Sequence, residues 1–276
     1  MTVAPQLKLE ADGLAVTVDD LAYLALGGYG HFTAMQVRGG RTQGLDFHLA
    51  RLDAATREFY GEPLAGERVR ELIRHALGQG ADGADDGDDG DAVLDASVRV
   101  HVFRPEDAPG APVRVLVAVR PPGEAPAEVL SLRAVDYQRP VAHIKHSGGF
   151  AQTYYRQVAV AEGYDEALLV GQGGVIAEGA ITNVGFVEGD TVVWPDAPVL
   201  QGIAMQVLVR ELAAAGVESK RRPVFLSDVA SFDGAFLTNS RGFAAVGRID
   251  TVDLPLDAPL LATARRLHRE APWDEI

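Results

Sequence analysis

The stretch Val141-Ala-His-Ile-Lys145-His-Ser-Gly-Gly-Phe150 places a lysine after an apolar lead-in and before a pair of glycines. An ammonium is costly to bury, so a lysine at the end of an apolar strand is an unusual choice. Loss of solvation favours the neutral amine, the form that adds to a carbonyl and makes a Schiff base. The plain alternative is a surface lysine on a loop, and these ten residues alone fit both.

The chain on either side reads as alternating elements. Upstream, 14–18 and 31–37 read as strands. Residues 46–60 read as a helix with Leu45, Leu49, Leu52 and Phe59 near one face, and 67–77 as a second, with Val69, Leu72, Ile73, Ala76 and Leu77 on its stripe. Runs 97–103 and 113–119 form a hairpin pattern across a Pro/Gly-rich turn. Arg120-Pro-Pro-Gly-Glu-Ala-Pro126 forbids regular structure. It divides a small N-terminal α/β domain, 1–121, from a larger C-terminal domain, 127–276.

Past the divide, 129–135 reads as a strand, followed by a loop with Arg139-Pro140, and 154–162 as a helix. Short strands follow at 166–170, 175–178, 183–187 and 191–194, with turns at Gln172-Gly-Gly174 and Glu188-Gly-Asp190. A helix over 202–215 stops at Gly216. Strands at 220–225 and 235–238 precede a last helix over 260–268. The pattern predicts a mixed α+β chain of two domains with many antiparallel strands.

Composition removes several functions. The 276 residues include no cysteine, which excludes disulfides, thiolate metal sites and cysteine nucleophiles, and no metal site is expected. A net charge of −14 repels nucleic acid and anionic lipid, so neither is an expected partner. No apolar stretch approaches a membrane span, and the first residues lack a basic segment followed by an apolar run. A cytoplasmic location is expected. Six of the ten residues in 82–91 are Asp. No calcium-loop register fits them, so they read as a solvated surface loop.

Four further places carry candidate chemistry. Glu178 ends a strand, where a carboxylate can pair with a protonated ring nitrogen; a strand-end glutamate facing water is the bland reading. Gly202-Ile-Ala204 opens a helix, and free amides at such an end suit a phosphate. Thr238-Asn-Ser-Arg241 follows a short apolar strand, and its small polar side chains can ring a phosphate or make an ordinary turn. Arg51, in His48-Leu-Ala-Arg-Leu, can bring charge to a phosphate or lie on the solvated face of its helix.

In this order the features resemble the fold type IV pyridoxal-phosphate enzymes: branched-chain and D-amino-acid aminotransferases and aminodeoxychorismate lyases. The resemblance runs from about Gly27 to Ile249. It implies a two-domain, D-amino-acid-aminotransferase-like fold with pyridoxal 5'-phosphate between the domains, in a homodimer. Lys145 resembles the Schiff-base lysine and Glu178, followed by Asn183, the glutamate at the pyridine nitrogen. Arg51 resembles the phosphate arginine. Leu200-Gln-Gly-Ile-Ala204 is similar to the phosphate helix, acting through the Ile203 and Ala204 amides. Phe236-Leu-Thr-Asn-Ser240 is similar to the last phosphate loop, with Asn239 and Ser240 at the cofactor. Gly163-Tyr-Asp-Glu-Ala-Leu-Leu169 resembles the lead into the central hairpins.

The chain also departs from the family pattern. Phe150 stands where many relatives have a tyrosine, Ala204 replaces a threonine and Asn239 a glycine. Phe32-Thr33 replaces an aromatic-glutamate pair. Phe32-Thr33, Ile144-Lys-His146 and Asn239 lean toward the lyases. The resemblance implies an aminotransferase acting on amino acids (or amines) and 2-keto acids, with Lys145 as the base for the α-proton. A lyase that eliminates pyruvate and a non-catalytic member remain open. Thr33, Arg104 and Arg241 are the candidates for substrate contacts, and His143 and His146 flank the lysine.

Overall fold

The computed structural model describes residues 7–78, 95–105 and 110–276. The Asp-rich run at 82–91 lies outside them. The chain forms two compact units. One comprises Met1–Gly123, Ile144–Gly148 and Trp273–Ile276; the other comprises Glu124–His143 and Gly149–Pro272. Lys145 therefore packs with the first unit, although its place in the sequence lies beyond the Pro-rich divide.

The first unit contains β1 (Lys8–Ala11), β2 (Leu14–Ala15), α1 (Val18–Leu26), β3 (His31–Val37), β4 (Arg41–Thr42), α2 (Leu45–Tyr60), α3 (Gly66–Ala76), β5 (Ala96–Phe103) and β6 (Arg114–Arg120). Five of the strands form an antiparallel sheet in the order β2-β1-β6-β5-β3. Alternation along β3 buries His31, Thr33, Met35 and Val37. Met35 and Val37 meet Leu52 of α2, Val69 and Ile73 of α3, and the valines of β5 and β6 in one core.

Gly44, with φ 66°, leads into α2, and Gly61, with φ 72°, closes it by donating to Arg57 O. Both are left-handed positions that suit glycine. The 14–18 run is not one strand. It ends at Ala15, and a capping box between Thr17 and Asp20 starts α1. Asp20 also pairs with Arg114 and is buried.

The second unit contains β7 (Val129–Asp136), α4 (Phe150–Ala161), β8 (Glu166–Val170), β9 (Ile176–Gly179), β10 (Asn183–Glu188), β11 (Thr191–Pro195), α5 (Ile203–Ala214), β12 (Glu218–Arg222), β13 (Gly234–Asn239), β14 (Gly242–Ile249), β15 (Val252–Asp253) and α6 (Pro259–Glu270). Its sheet runs β12-β11-β10-β13-β14-β7-β8-β9, with β15 on β14. β8 and β9 are buried along their whole length, and β10 up to Glu188. Strands covered on both faces read as continuous apolar runs. Trp194, Phe236, Met205, Leu208, Leu212, Leu260 and Leu261 fill the space under α5 and α6.

Elements of the second unit also differ from the sequence expectation. α4 begins one turn early, β12 lies at 218–222 instead of 220–225, and β14 follows a tight turn after β13. The chain returns to the first unit with β16 (Asp274–Glu275), which pairs with β4. There Asp274 caps α2 by accepting from Leu45 N at 3.0 Å. Ile276 enters the first core, and its carbonyl accepts from Arg74 Nε at 2.7 Å.

Gly185 of β10 stands opposite Phe236 of β13, and a Cβ there would lie 2.4–2.9 Å from the ring. Phe236 is wedged between Trp194 and Phe243, with centroids at 5.3 and 4.7 Å. Gly185→Ala is expected to destabilise the fold by about 1–3 kcal/mol, as overpacking does. Urea denaturation checks this, and an unchanged midpoint would show that the ring moves aside freely.

Candidate active site

β3 is an edge strand, and the segment that carries Lys145 covers its open side. Phe32 N donates to Lys145 O at 2.9 Å, and Ser147 N to Gly30 O at 2.8 Å. His31 and His146 stand opposite each other in this short antiparallel bridge. Gly30 allows the close approach of β3 to β5, because a Cβ there would sit 2.9 Å from Val102 O. The lead-in to the lysine is a turn, not the apolar strand that the sequence suggests; Val141 takes φ 46°, while Ala142 and Ile144 are buried.

Lys145 is half-buried, with its Nζ 4.8 Å from the centroid of the Phe32 ring. The His101 imidazole stacks on that ring at 5.0 Å, and the Arg99 guanidinium lies 5.7 Å from its centroid. Thr33 points to the opposite side of β3. Its hydroxyl meets His48 Nδ1 at 2.6 Å and accepts from Arg51 Nη2. His31 Nε2 meets the Thr56 hydroxyl at 3.1 Å, and that hydroxyl donates to Leu52 O at 2.7 Å. Thr56 must therefore accept from His31, so the His31 proton sits on Nε2.

Three imidazoles in this unit, those of His31, His48 and His101, are neutral. Burial, then the charge of Arg51 and then His101, lower the His31 pKa to about 4. Burial, followed by Arg99 and Arg120, brings His101 to about 4. His48 is held well below the usual range by burial first and then by Arg51 and Lys145. Lys145, Arg51 and Arg99 thus lie in a unit whose nearby rings His31, His48 and His101 carry no charge, a setting that suits an anion.

The second unit holds the other candidates. Glu178, at the buried end of β9, lies 3.4 Å from Arg139 Nη1, and both side chains are 6% exposed. Its Oε2 accepts from Leu200 N at 3.2 Å. Asn183 Nδ2 donates to Leu200 O at 2.8 Å. Gly202 presses on Asn183 so closely that a Cβ would fall 2.0 Å from Oδ1. Glu178 and the 200–202 segment are therefore fastened together, and α5 starts just after them. No side chain caps its first amides. Asn183 also stands opposite Thr238 in the ladder, so the turn holding Asn239, Ser240 and Arg241 leaves from the same end of the sheet.

Thr33, Arg51 and Lys145 are thus gathered in the first unit, and Glu178, Ile203 and Ala204 in the second. Asn239 uses its Oδ1 to accept from Arg241 N at 2.8 Å, and Ser240 and Arg241 are exposed. Arg104 is engaged elsewhere, paired with Glu62 at 2.8 Å and lying over the Tyr60 ring. Sequence reasoning assigned no role to Arg139, His48 or Arg99. Arg139 was visible only as part of an Arg-Pro loop. Arg99 and His101 sat in plain view on a strand, but nothing marked which face they shared with Phe32.

Residues 30–249 match the family described as amino-transferase class IV. The chain belongs to the class IV aminotransferases. The match contains both Lys145 and Glu178. Over 100 residues this class IV chain is 36% identical to a probable branched-chain-amino-acid aminotransferase of Rickettsia felis, covering 36% of this chain and 34% of the relative. Over 110 residues it is 29% identical to one from Synechocystis, covering 39% and 36%. The aligned part spans about a third of the length of these curated relatives.

Among solved structures, a PLP-bound hypothetical aminotransferase from Mycobacterium tuberculosis matches with a TM-score of 0.77 at 21% identity, over 95% of this chain and 97% of that one. The branched-chain aminotransferase of the thermophilic archaeon Thermoproteus uzoniensis, with norvaline, gives 0.80 at 19%, over 95% and 93%. The fold is the α+β fold of these enzymes. Among the described residues no helix is long and apolar enough to cross a membrane.

The neutral histidines predict an acid-labile fold. His31 has a folded pKa of about 4 against an ordinary 6.5, so its contribution is complete above pH 6.5 and is lost as the pH falls toward 4. The loss from this residue is on the order of 3 kcal/mol by pH 4. Denaturation midpoints followed from pH 7 to 4 should fall less steeply in His31→Asn than in the wild type. Identical slopes would mean that His31 takes up its proton without unfolding.

Proposed function

We propose that this chain is a pyridoxal-phosphate-dependent aminotransferase that moves an amino group between an amino acid and a 2-keto acid. One observation carries the reading. The sequence has three lysines, Lys8, Lys145 and Lys220. Lys8 pairs with Glu10 at 2.9 Å, and Lys220 with Glu188 at 2.8 Å. Lys145 is half-buried over the Phe32 ring, on a segment pinned to β3 by backbone hydrogen bonds, and is the lysine inside the matched family region that sits on such a segment. An enzyme that anchors an aldehyde cofactor needs an amine of this kind.

The residues present fit that cofactor. Its aldehyde has a matching amine in Lys145. For its phosphate the first unit would offer the Arg51 guanidinium, and the second unit the uncapped amides of Ile203 and Ala204 and the turn with Asn239 and Ser240. The Thr238 hydroxyl, buried and without a hydrogen-bond partner among the described residues, marks that turn as polar and incomplete. Its ring nitrogen has the Glu178 carboxylate, whose burial Arg139 offsets.

When bound, pyridoxal phosphate supplies an aldehyde for the amino group and a ring that takes up an electron pair. The chain supplies the rest. Lys145 would hold the cofactor through Nζ, and its amine would serve as the base for the proton on the substrate α-carbon. Glu178 keeps a negative charge where a protonated ring nitrogen needs one. Arg99 supplies charge for the substrate carboxylate; it lies over the same ring as Lys145, and no carboxylate pairs with it among the described residues. Small amino and keto acids are the partners in this reading, which also takes the enzyme to be homodimeric, as the family resemblance implies, and cytoplasmic, as the composition suggests.

Two relatives are named for branched-chain amino acids, so the substrate panel begins there. Titration with pyridoxal phosphate should produce a saturable absorption band that Lys145→Ala lacks, with turnover falling by at least roughly 100-fold. Amino-group transfer to a keto acid supports the proposal; pyruvate release with no acceptor would replace it with a lyase. Arg99→Met should raise KM for the amino acid roughly tenfold while sparing cofactor affinity. An unchanged KM would remove Arg99 from the substrate site.

A further inference from the structure

At the β3–α2 contact the apolar core gives way to a polar cluster. Met35 and Leu52 belong to the core, whereas Thr33 and His48, at 0% and 3% exposure, are as deeply buried but polar. A buried hydroxyl and imidazole are costly unless each is satisfied. They satisfy each other at 2.6 Å, and the Thr33 oxygen also receives Arg51 Nη2.

The directions of these bonds follow from the groups themselves. A guanidinium only donates, so the Thr33 oxygen accepts from Arg51. That oxygen keeps its own proton, and His48 Nδ1, 2.6 Å away, is the acceptor for it when the neutral ring is protonated on Nε2. Burial with Arg51 and Lys145 nearby keeps the ring neutral. With that tautomer the bonds run one way, from Arg51 N–H through Thr33 O–H to His48 Nδ1. His31, on the same face of β3 as Thr33, is also neutral, and the Lys145 side chain is near enough for its charge to act on His48.

We propose that Thr33 and His48 are positioning residues that fix the plane of the Arg51 guanidinium for a phosphate monoester. The inference rests on the reading of Arg51 as a phosphate ligand of a pyridoxal-phosphate enzyme. An arginine binds phosphate best through two parallel N–H groups, and that geometry depends on the plane of its fork. A long side chain without a stop loses part of this advantage in ordering itself. Thr33, fully buried on β3, gives Arg51 a rigid stop, and His48 holds the Thr33 hydroxyl at 2.6 Å.

The test compares pyridoxal 5'-phosphate with pyridoxal, which keeps the aldehyde and lacks the phosphate. Both are titrated into the full chain after cofactor removal, in the wild type, Thr33→Val, Thr33→Ser and His48→Gln. Thr33→Val keeps the shape and removes the hydroxyl. It should weaken pyridoxal phosphate roughly tenfold and leave pyridoxal unchanged. Thr33→Ser should restore the phosphate preference, and His48→Gln, which keeps an acceptor, should lose less of it than Thr33→Val. Equal weakening of both ligands would reduce the cluster to a general packing role, and wild-type affinity for both in Thr33→Val would overturn the proposal. A wild type with no Lys145-dependent band for either ligand would overturn the pyridoxal-phosphate reading itself, and the proposal with it.

Discussion

The short backbone bridge between β3 and the Lys145 segment is the constraint on which the first unit's chemistry depends. Two hydrogen bonds at 2.8 and 2.9 Å fix where residue 145 leaves the main chain. An edge strand with unpaired groups invites association with other chains. Here that edge is used by a distant part of the same chain, so one contact both protects the sheet and places the amine. The side chain then has only its own rotamers to settle over Phe32.

The two candidate clusters handle burial differently. In the first unit, histidines give up their charge: His31, His48 and His101 stay neutral, leaving the field to Lys145, Arg51 and Arg99. In the second unit, Glu178 is accompanied by an equally buried Arg139 and a backbone amide. Neutral rings leave a net positive setting for anions, while the ion pair keeps a carboxylate in place without a net charge of its own.

Much of the fold was legible because local pattern and burial agree. β8 to β10 read as apolar runs since both faces are covered, and α3 as a stripe since one face is. α1 was missed because its large apolar residues are exposed: Val18 is 81% and Leu26 88% exposed. Its real signal was the Thr17–Asp20 capping box. β12 was placed late because Glu-Ser-Lys-Arg-Arg carries no apolar alternation, as an edge strand can tolerate. Within the candidate site, the motifs gave positions, while partnerships stayed hidden. Nothing local links Arg139 to Glu178, His48 to Thr33, or residue 145 to β3. These are long-range contacts, and a single sequence carries them only as separate residues.

Residues 274–276 have a consequence for how the chain is made. Asp274 caps the start of α2, and Ile276 fills part of the core beneath it. α2 is the helix that carries His48 and Arg51. A chain leaving the ribosome exposes its N-terminal part first. The first unit cannot complete its core, or cap that helix, until residues 274–276 emerge. The order of synthesis and the order of completion are therefore reversed for this unit, which starts before the second unit and is finished only after it has been made.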